Sequence, residues 1–186
     1  LRLDRIPFAE RAHDDEIEAG RLGRLEGELV DAASKALMLL REEGTSVAFP
    51  EAVEQMRDEM QQVTERLMRV KVGMVTQEIE AEIVRSLEET IAALRKALRD
   101  HDRRQAKGPS SQAGPPQDPQ LVDSLEELRM IRTLQMRVNR RTQRYEKLLK
   151  DGSADRDDCM EALRRLADRQ QRIRQATYDL QWGKDR

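Results

Sequence analysis

The stretch LVDSLEELRMIRTLQMRVNRRTQRYEKLLKDGSADRDDCMEALRRLADRQQRIRQATYDLQW, residues 121–182, carries two apolar stripes separated by Asp151-Gly152-Ser153. In the first, Leu128, Ile131, Gln135, Val138, Thr142, Tyr145 and Leu149 follow one another at alternating steps of three and four residues. In the second, Cys159, Leu163, Leu166, Gln170, Ile173, Thr177 and Leu180 do the same. On a helix of about 3.6 residues per turn these steps keep every member on one side and describe a coiled-coil seam. So short a joint permits only an antiparallel return. The stretch therefore predicts a helical hairpin, with helices over about 121–150 and 154–181 and Leu128, Ile131, Val138, Leu163, Leu166 and Ile173 in its seam. Gln135, Thr142, Gln170 and Thr177 weaken that seam and are placed to fix its register. Cys159, the one cysteine, reads as a small seam hydrophobe; no internal disulfide can form.

Upstream of the hairpin lies KGPSSQAGPPQDPQ, residues 107–120, rich in Pro, Gly, Ser and Gln with no apolar anchor. It reads as a flexible linker. The hairpin's first helix then starts either behind Asp118-Pro119 or with Ser124 and Glu127 as a capping box. Residues 1–106 read as a three-helix part, with helices over about 9–43, 51–72 and 77–105 after an extended lead-in at Leu1–Phe8. The first helix presents Leu22, Leu25, Leu29, Ala32, Ala36, Leu39 and Leu40, widened by Leu37 and Met38, and is weakened by Gly20 and Gly23. Gly44 ends it, and Pro50 opens the second helix, whose Val53, Met56, Met60, Val63, Leu67, Val70 and Met74 form the cleanest heptad run. After Gly73 the stripe jumps to Ile79, Ile83, Leu87, Ile91, Leu94 and Leu98. That jump predicts a corner capped by Gly73 and restarted by Thr76, in preference to one kinked helix of nearly sixty residues.

Composition agrees with an all-α chain of elongated antiparallel helices. Aromatics make up 3% and charged residues 38% of 186 residues, which suits narrow seams better than one thick core. Residues 1–106 carry 17 basic and 23 acidic side chains, and residues 107–186 carry 17 and 13. The negative N-terminal part and positive hairpin are thus matched either for docking on each other or for an acidic partner.

Enzyme signatures are missing: there is no Gly-rich phosphate loop, CxxC or HExxH, and two histidines serve no Ser-His-Asp constellation. Asp100-His101-Asp102 near a helix end is too sparse for a metal site, and the run Asp14, Asp15, Glu16, Glu18 diverges around its helix. No catalytic, cofactor, metal or small-molecule substrate site is expected, and no stretch approaches the roughly 20 apolar residues of a membrane span. One surface stands out. Arg137, Arg140, Arg141, Arg144 and Lys147, with Lys150, crowd one half of the fourth helix. They form either a docking face for acidic groups, Asp168 opposite Arg140 among them, or a surface for phosphates.

The segments LLREEGTSVAFPEAVEQMRDEM, TQEIEAEIVRSLEETIAALRKAL, LRMIRTLQMRVNRRTQRY and RRLADRQQRIRQATYDL together resemble a group of uncharacterised, predicted exported helical proteins of bacteria with large, complex cell envelopes. The resemblance covers most of Ala36–Leu180 apart from the linker. It implies a periplasmic or envelope address and no catalytic residues; a cytoplasmic address is the alternative. The chain starts at Leu1 in place of Met, which a cleaved export signal, a trimmed start or excision from a longer chain explain equally. About five apolar residues per hairpin helix bury too little to hold two long helices ordered alone, so the hairpin needs other helices. The expected function is a non-enzymatic structural or scaffolding protein working through helix–helix contacts, with a protein partner or self-association. The alternative is binding of nucleic acid or another anionic surface by the basic face.

Overall fold

A computed structural model describes residues 13–44, 46–106 and 119–182. Among these the chain is all-helical: α1 (His13–Glu43), α2 (Ala48–Met68), α3 (Met74–Ala106), α4 (Pro119–Lys150) and α5 (Arg156–Trp182). The lead-in at residues 1–8 and all but the end of the 107–120 linker, Asp118 included, lie outside the described residues, as do the side chains of Leu94, Leu98, His101 and Ser124. α4 starts at Pro119, so of the two starts the sequence allows, the upstream one is used.

Three joints set the topology. α1 stops at Gly44, whose φ of +66° is easy only for glycine, and α2 returns antiparallel along it. Between α4 and α5, Gly152 takes φ +62° while Ser153 N–H donates to Leu148 O and Gly152 N–H to Leu149 O, a Schellman closure. Asp155 then caps α5, its Oδ1 accepting from the N–H groups of Asp157 and Asp158 at 2.9 and 3.0 Å. The α2–α3 corner is real, but Gly73 does not close α2. The same Schellman closure forms around Val70 at φ +55°, with Lys71 N–H on Arg66 O and Val70 N–H on Leu67 O. A β-branched residue is poorly suited to that conformation. Gly73 instead opens α3, accepting from Gln77 N–H. Thr76 lies within α3's first turn, its hydroxyl donating to Lys71 O and accepting from Arg66 Nε.

α2 is the axis. It packs against α1, α3, α4 and α5, and is buried nearly all round: Ala48, Ala52, Met56, Met60, Val63 and Leu67 are apolar, but Gln55, Glu59, Gln62 and Arg66 are buried too. This central place moves the other stripes. α1 meets α2 through Ala19, Gly23, Val30, Ala33 and Leu37, leaving Leu22, Leu25, Leu29, Ala32, Ala36 and Leu39 exposed. Gly23 has a packing role: a Cβ there would sit 3.3 Å from Leu67 Cβ, so the crossing is close because the side chain is absent. On α3, Ile79 and Ile83 are buried as expected, but Ser86 and Thr90 take the next inward places while Leu87 and Ile91 turn outward.

The hairpin itself forms, and Ile131, Val138, Leu166 and Ile173 are buried in it, with Leu163 half-buried. Leu128 is exposed, contrary to its expected seam position. The buried line on α4 runs Ile131, Leu134, Val138, Arg141, Tyr145, Leu148, and on α5 Cys159, Ala162, Leu166, Arg169, Ile173, Ala176. Each keeps the three-four step but is rotated, because α2 and α3 cover a second face beside the α4–α5 seam. Gln135 and Gln170 do bridge that seam, each amide donating to the other's carbonyl at 2.7 Å. Thr142 and Thr177 instead bond back to Val138 O and Ile173 O in their own helices.

Candidate functional site

Glu59 lies on α2 between Met56 and Val63, Arg141 on α4 between Val138 and Tyr145, and Arg169 on α5 between Leu166 and Ile173. Each occupies an inward position of an apolar stripe, so packing the three helices together brings the three charges into contact. Glu59 Oε1 accepts from Nη1 of both Arg141 and Arg169. Arg141 Nη2 also donates to the Tyr145 hydroxyl at 2.8 Å, and its guanidinium lies 5.6 Å from the Tyr145 ring centre. Glu59, Arg141 and Arg169 are exposed by only 3%, 7% and 5%, which makes them a buried Arg–Glu–Arg triad with Arg169 at the edge of a groove between α2 and α5.

A second carboxylate adjoins it. Glu82 on α3 is 1% exposed, 2.9 Å from Arg85 Nη2 and 3.8–3.9 Å from Arg140 and Arg137, yet neither of its oxygens is aligned for a hydrogen bond. Burial, helped by the charge of Glu59, holds its pKa above the usual carboxylate value in spite of Arg85, Arg141 and Arg140. Arg141 and Arg169 share Glu59 unequally. Burial disfavours both charges; at Arg141 the fields of Glu59 and Tyr145 outweigh it and the pKa rises. At Arg169 the like charge of Arg141 adds to burial and the pKa falls. Both stay protonated at any physiological pH. Ser86, small and inward-facing, gives the guanidiniums room, and the cavity left beside them is only about 10 Å³, the space of one water.

Two further contacts join the parts. The Glu127 carboxylate of α4 accepts from the free N–H groups of Val47 and Ala48 at 3.0 and 2.7 Å, and from the Ser46 hydroxyl. It thus caps the positive end of α2 instead of forming a capping box in its own helix. At the opposite end of α2, Asp158 accepts from Arg66 Nη2 at 2.7 Å and Lys71 Nζ at 2.9 Å. Burial would raise its pKa, but these two cations prevail and lower it.

Of the basic residues of α4, Arg137 and Arg141 are buried, while Arg140, Arg144, Lys147 and Lys150 are exposed, most of them beside carboxylates. Arg137 donates twice to Glu89, at 3.1 and 2.7 Å; Arg140 lies within 4 Å of Glu82 and Glu89; Arg144 Nε donates to Glu78 at 2.6 Å. Asp168 is not opposite Arg140, which turns toward α3; it lines an open groove between α2 and α5. Lys147 is exposed and has no carboxylate partner among the described residues. The acidic N-terminal part and the basic hairpin thus dock on each other, and most of the face's charge is neutralised within the chain.

No protein-family model, curated protein or solved structure matches this chain. The α2–α5 groove, about 650 Å³, is lined by Asp58, Asp168, Arg165, Arg169, Arg172 and glutamines, with most of its charges paired: Arg172 donates to Asp58 at 2.8 Å, Arg165 to Glu161 at 2.9 Å and Arg169 to Glu59. Neither sign dominates. Cys159 is fully buried, and burial together with Asp158 and Asp155 raises its thiol pKa, which suits the packing role expected of it. No described helix is long and apolar enough to cross a membrane.

Glu59, Glu82 and Arg169 escape a reading based on apolar periodicity. A signal was nonetheless present. Each of Glu59, Arg141 and Arg169 has apolar or aromatic residues at i−3 and i+4, a charge standing where the stripe requires a hydrophobe.

Proposed function

We propose that this protein is a non-enzymatic scaffold that works by packing helices against other helices. The observation that carries this reading is the outer face of α1. Leu22, Leu25, Leu29 and Leu39 are 40–66% exposed, although they follow one another in unbroken three-four steps with Ala32 and Ala36. Such a repeat is the pattern a partner helix recognises, and an exposed apolar stripe of this kind marks an interaction surface. The ion pairs of Arg137, Arg140, Arg141 and Arg144 with Glu89, Glu82, Glu59 and Glu78 add support, since they tie much of that charge to docking within the chain. The resemblance of the four quoted segments to exported helical proteins of bacterial envelopes adds a periplasmic or envelope address to the proposal; fractionation of the native cell tests it.

The functional test is photo-crosslinking from position 29 of the full chain in its native cell. The expected result is a discrete crosslinked protein, lost when Leu22 and Leu25 are changed to Glu. A chain that gives no such product refutes the reading. Salt-sensitive binding of duplex DNA or anionic vesicles, weakened by Arg140→Ala and Lys147→Ala, would favour the anionic-surface alternative instead.

A further inference from the structure

We infer that the outer stripe of α1 is covered by α1 of a second copy of this chain, running antiparallel; the inference rests on the helix-packing reading above and names its partner. With Leu22, Leu29 and Ala36 at heptad position a and Leu25, Ala32 and Leu39 at d, an antiparallel pair sets a against d. Centred between Val30 and Asp31, the pair places Leu22 on Leu39 of the second copy, Leu25 on Ala36 and Leu29 on Ala32. Symmetry repeats each contact. The four inner layers each join one large and one small side chain, so the two helices approach evenly with no void. A parallel pair would stack Ala32 on Ala32 and Ala36 on Ala36, leaving two hollow layers beside four crowded with leucine.

The flanking charges select the same arrangement. One flank of the stripe is closed by α2. The other presents Arg21, Glu28, Lys35 and Glu42, all exposed, one per heptad and alternating in sign. Antiparallel pairing in the register set by the leucines brings position g of one copy against g of the other: Arg21 meets Glu42 and Glu28 meets Lys35, each twice by symmetry. Every one of these pairs is attractive. In a parallel pair Glu28 and Lys35 would face Ala33 and Leu40. Within the chain, Arg21 is already held by the exposed Glu18, at 2.6 and 2.8 Å, and can share its fork with both acids; Glu28, Lys35 and Glu42 have no ion pair among the described residues. Self-complementarity in size and in charge, in one register, is what a second copy supplies.

Sedimentation equilibrium of the full chain tests this. The expected result is a dimer of twice the 21.6 kDa chain mass. Leu25→Glu with Leu29→Glu should give a monomer of unchanged helicity, since both side chains lie outside the core. Glu28→Lys alone, or Lys35→Glu alone, sets like charges together twice and should weaken the dimer about tenfold or more, while an equimolar mixture of the two variants should restore it. A mixture that stays weak overturns the antiparallel register. A wild-type chain that is monomeric at about 100 µM overturns the second copy as partner. If that monomer still crosslinks to another protein from position 29, the scaffold reading survives; if it crosslinks to nothing, both fall.

Discussion

Changing Glu59 to Ala removes one carboxylate and strands two guanidiniums. Arg141 and Arg169 both direct Nη1 at Glu59 Oε1 and are both more than nine-tenths buried; Arg141 is shut in at the α2–α4–α5 junction, and Arg169 reaches water only along the α2–α5 groove that it borders. Each lost charge-assisted bond costs roughly 1.5–3 kcal/mol, and leaving a buried charge without its partner costs about 3–5 kcal/mol in all. Arg141 keeps Tyr145 and feels Glu82, which moderates its share; Arg169 has no other carboxylate in hydrogen-bond contact. The expected loss is therefore about 4 kcal/mol, carried mainly by Arg169. With a urea m-value of about 2 kcal/mol/M, the midpoint followed by circular dichroism should fall by about 2 M. Glu59→Gln keeps an acceptor but no charge, and should lose roughly half as much. Replacing all three at once (Glu59→Met, Arg141→Leu, Arg169→Leu) should be neutral or stabilising, because no member of the triad is then left as an unpaired buried charge. The reasoning is refuted if Glu59→Ala and Glu59→Gln each lose less than about 1 kcal/mol, or if the triple replacement is worse than Glu59→Ala.

Other substitutions probe single features. Glu82 has a raised folded pKa, so its contribution is fully present below the ordinary carboxylate pKa and is lost as pH rises through the raised value; Glu82→Gln should flatten that decline and be at least as stable as wild type at pH 7, measured by urea melts across pH. Asp158 has a lowered folded pKa, so its contribution is present at neutral pH and lost as pH falls through the lowered value. Asp158→Asn should cost about 2 kcal/mol at pH 7, with buried Arg66 left uncompensated, and the difference should vanish in acid. Val70→Gly and Val70→Ala lose similar packing, but only glycine relieves φ +55°; Gly should be the more stable by about 1 kcal/mol in thermal melts, the reverse of the usual helix order. Gly20→Ala should gain about 1 kcal/mol because a Cβ there meets nothing within 4 Å, whereas Gly23→Ala should gain less or lose, because its Cβ presses on Leu67 and Met68.

Helix number, the hairpin turn and the break near residue 73 follow from local chemistry, and local chemistry is written along the chain. Gly44 and Gly152 take left-handed conformations where glycine is cheap, and Pro119 opens a helix where its missing N–H is harmless. Which side of each helix faces inward is not local. A stripe of leucines on α1 satisfies every periodicity criterion, yet α2 takes the adjoining face of Ala19, Gly23, Val30 and Ala33, because small residues let two backbones approach closely. On α3 and α5 the inward line passes through Ser86 and Arg169, since the partner charges on α2 and α4 demand a small neighbour or an opposite sign. Glu127 is the extreme case. Nothing about its position in α4 announces that it caps a helix about eighty residues earlier.

The division of labour on α1 has a physical consequence. A helix that packs by its small face gives its own fold close contact but modest apolar burial, and keeps its larger side chains for whatever lies outside. Leucines at four of six heptad positions, about half exposed, are an unusual expense for a lone chain, since polar residues there would cost the fold nothing and improve solubility. The triad points the other way: charges at the junction of α2, α4 and α5 are enclosed where aliphatic residues would hold the bundle as firmly. Apolar groups outside and ionic groups inside together fit the proposal of a chain whose core fixes how its helices are arranged and whose α1 surface is the part that associates.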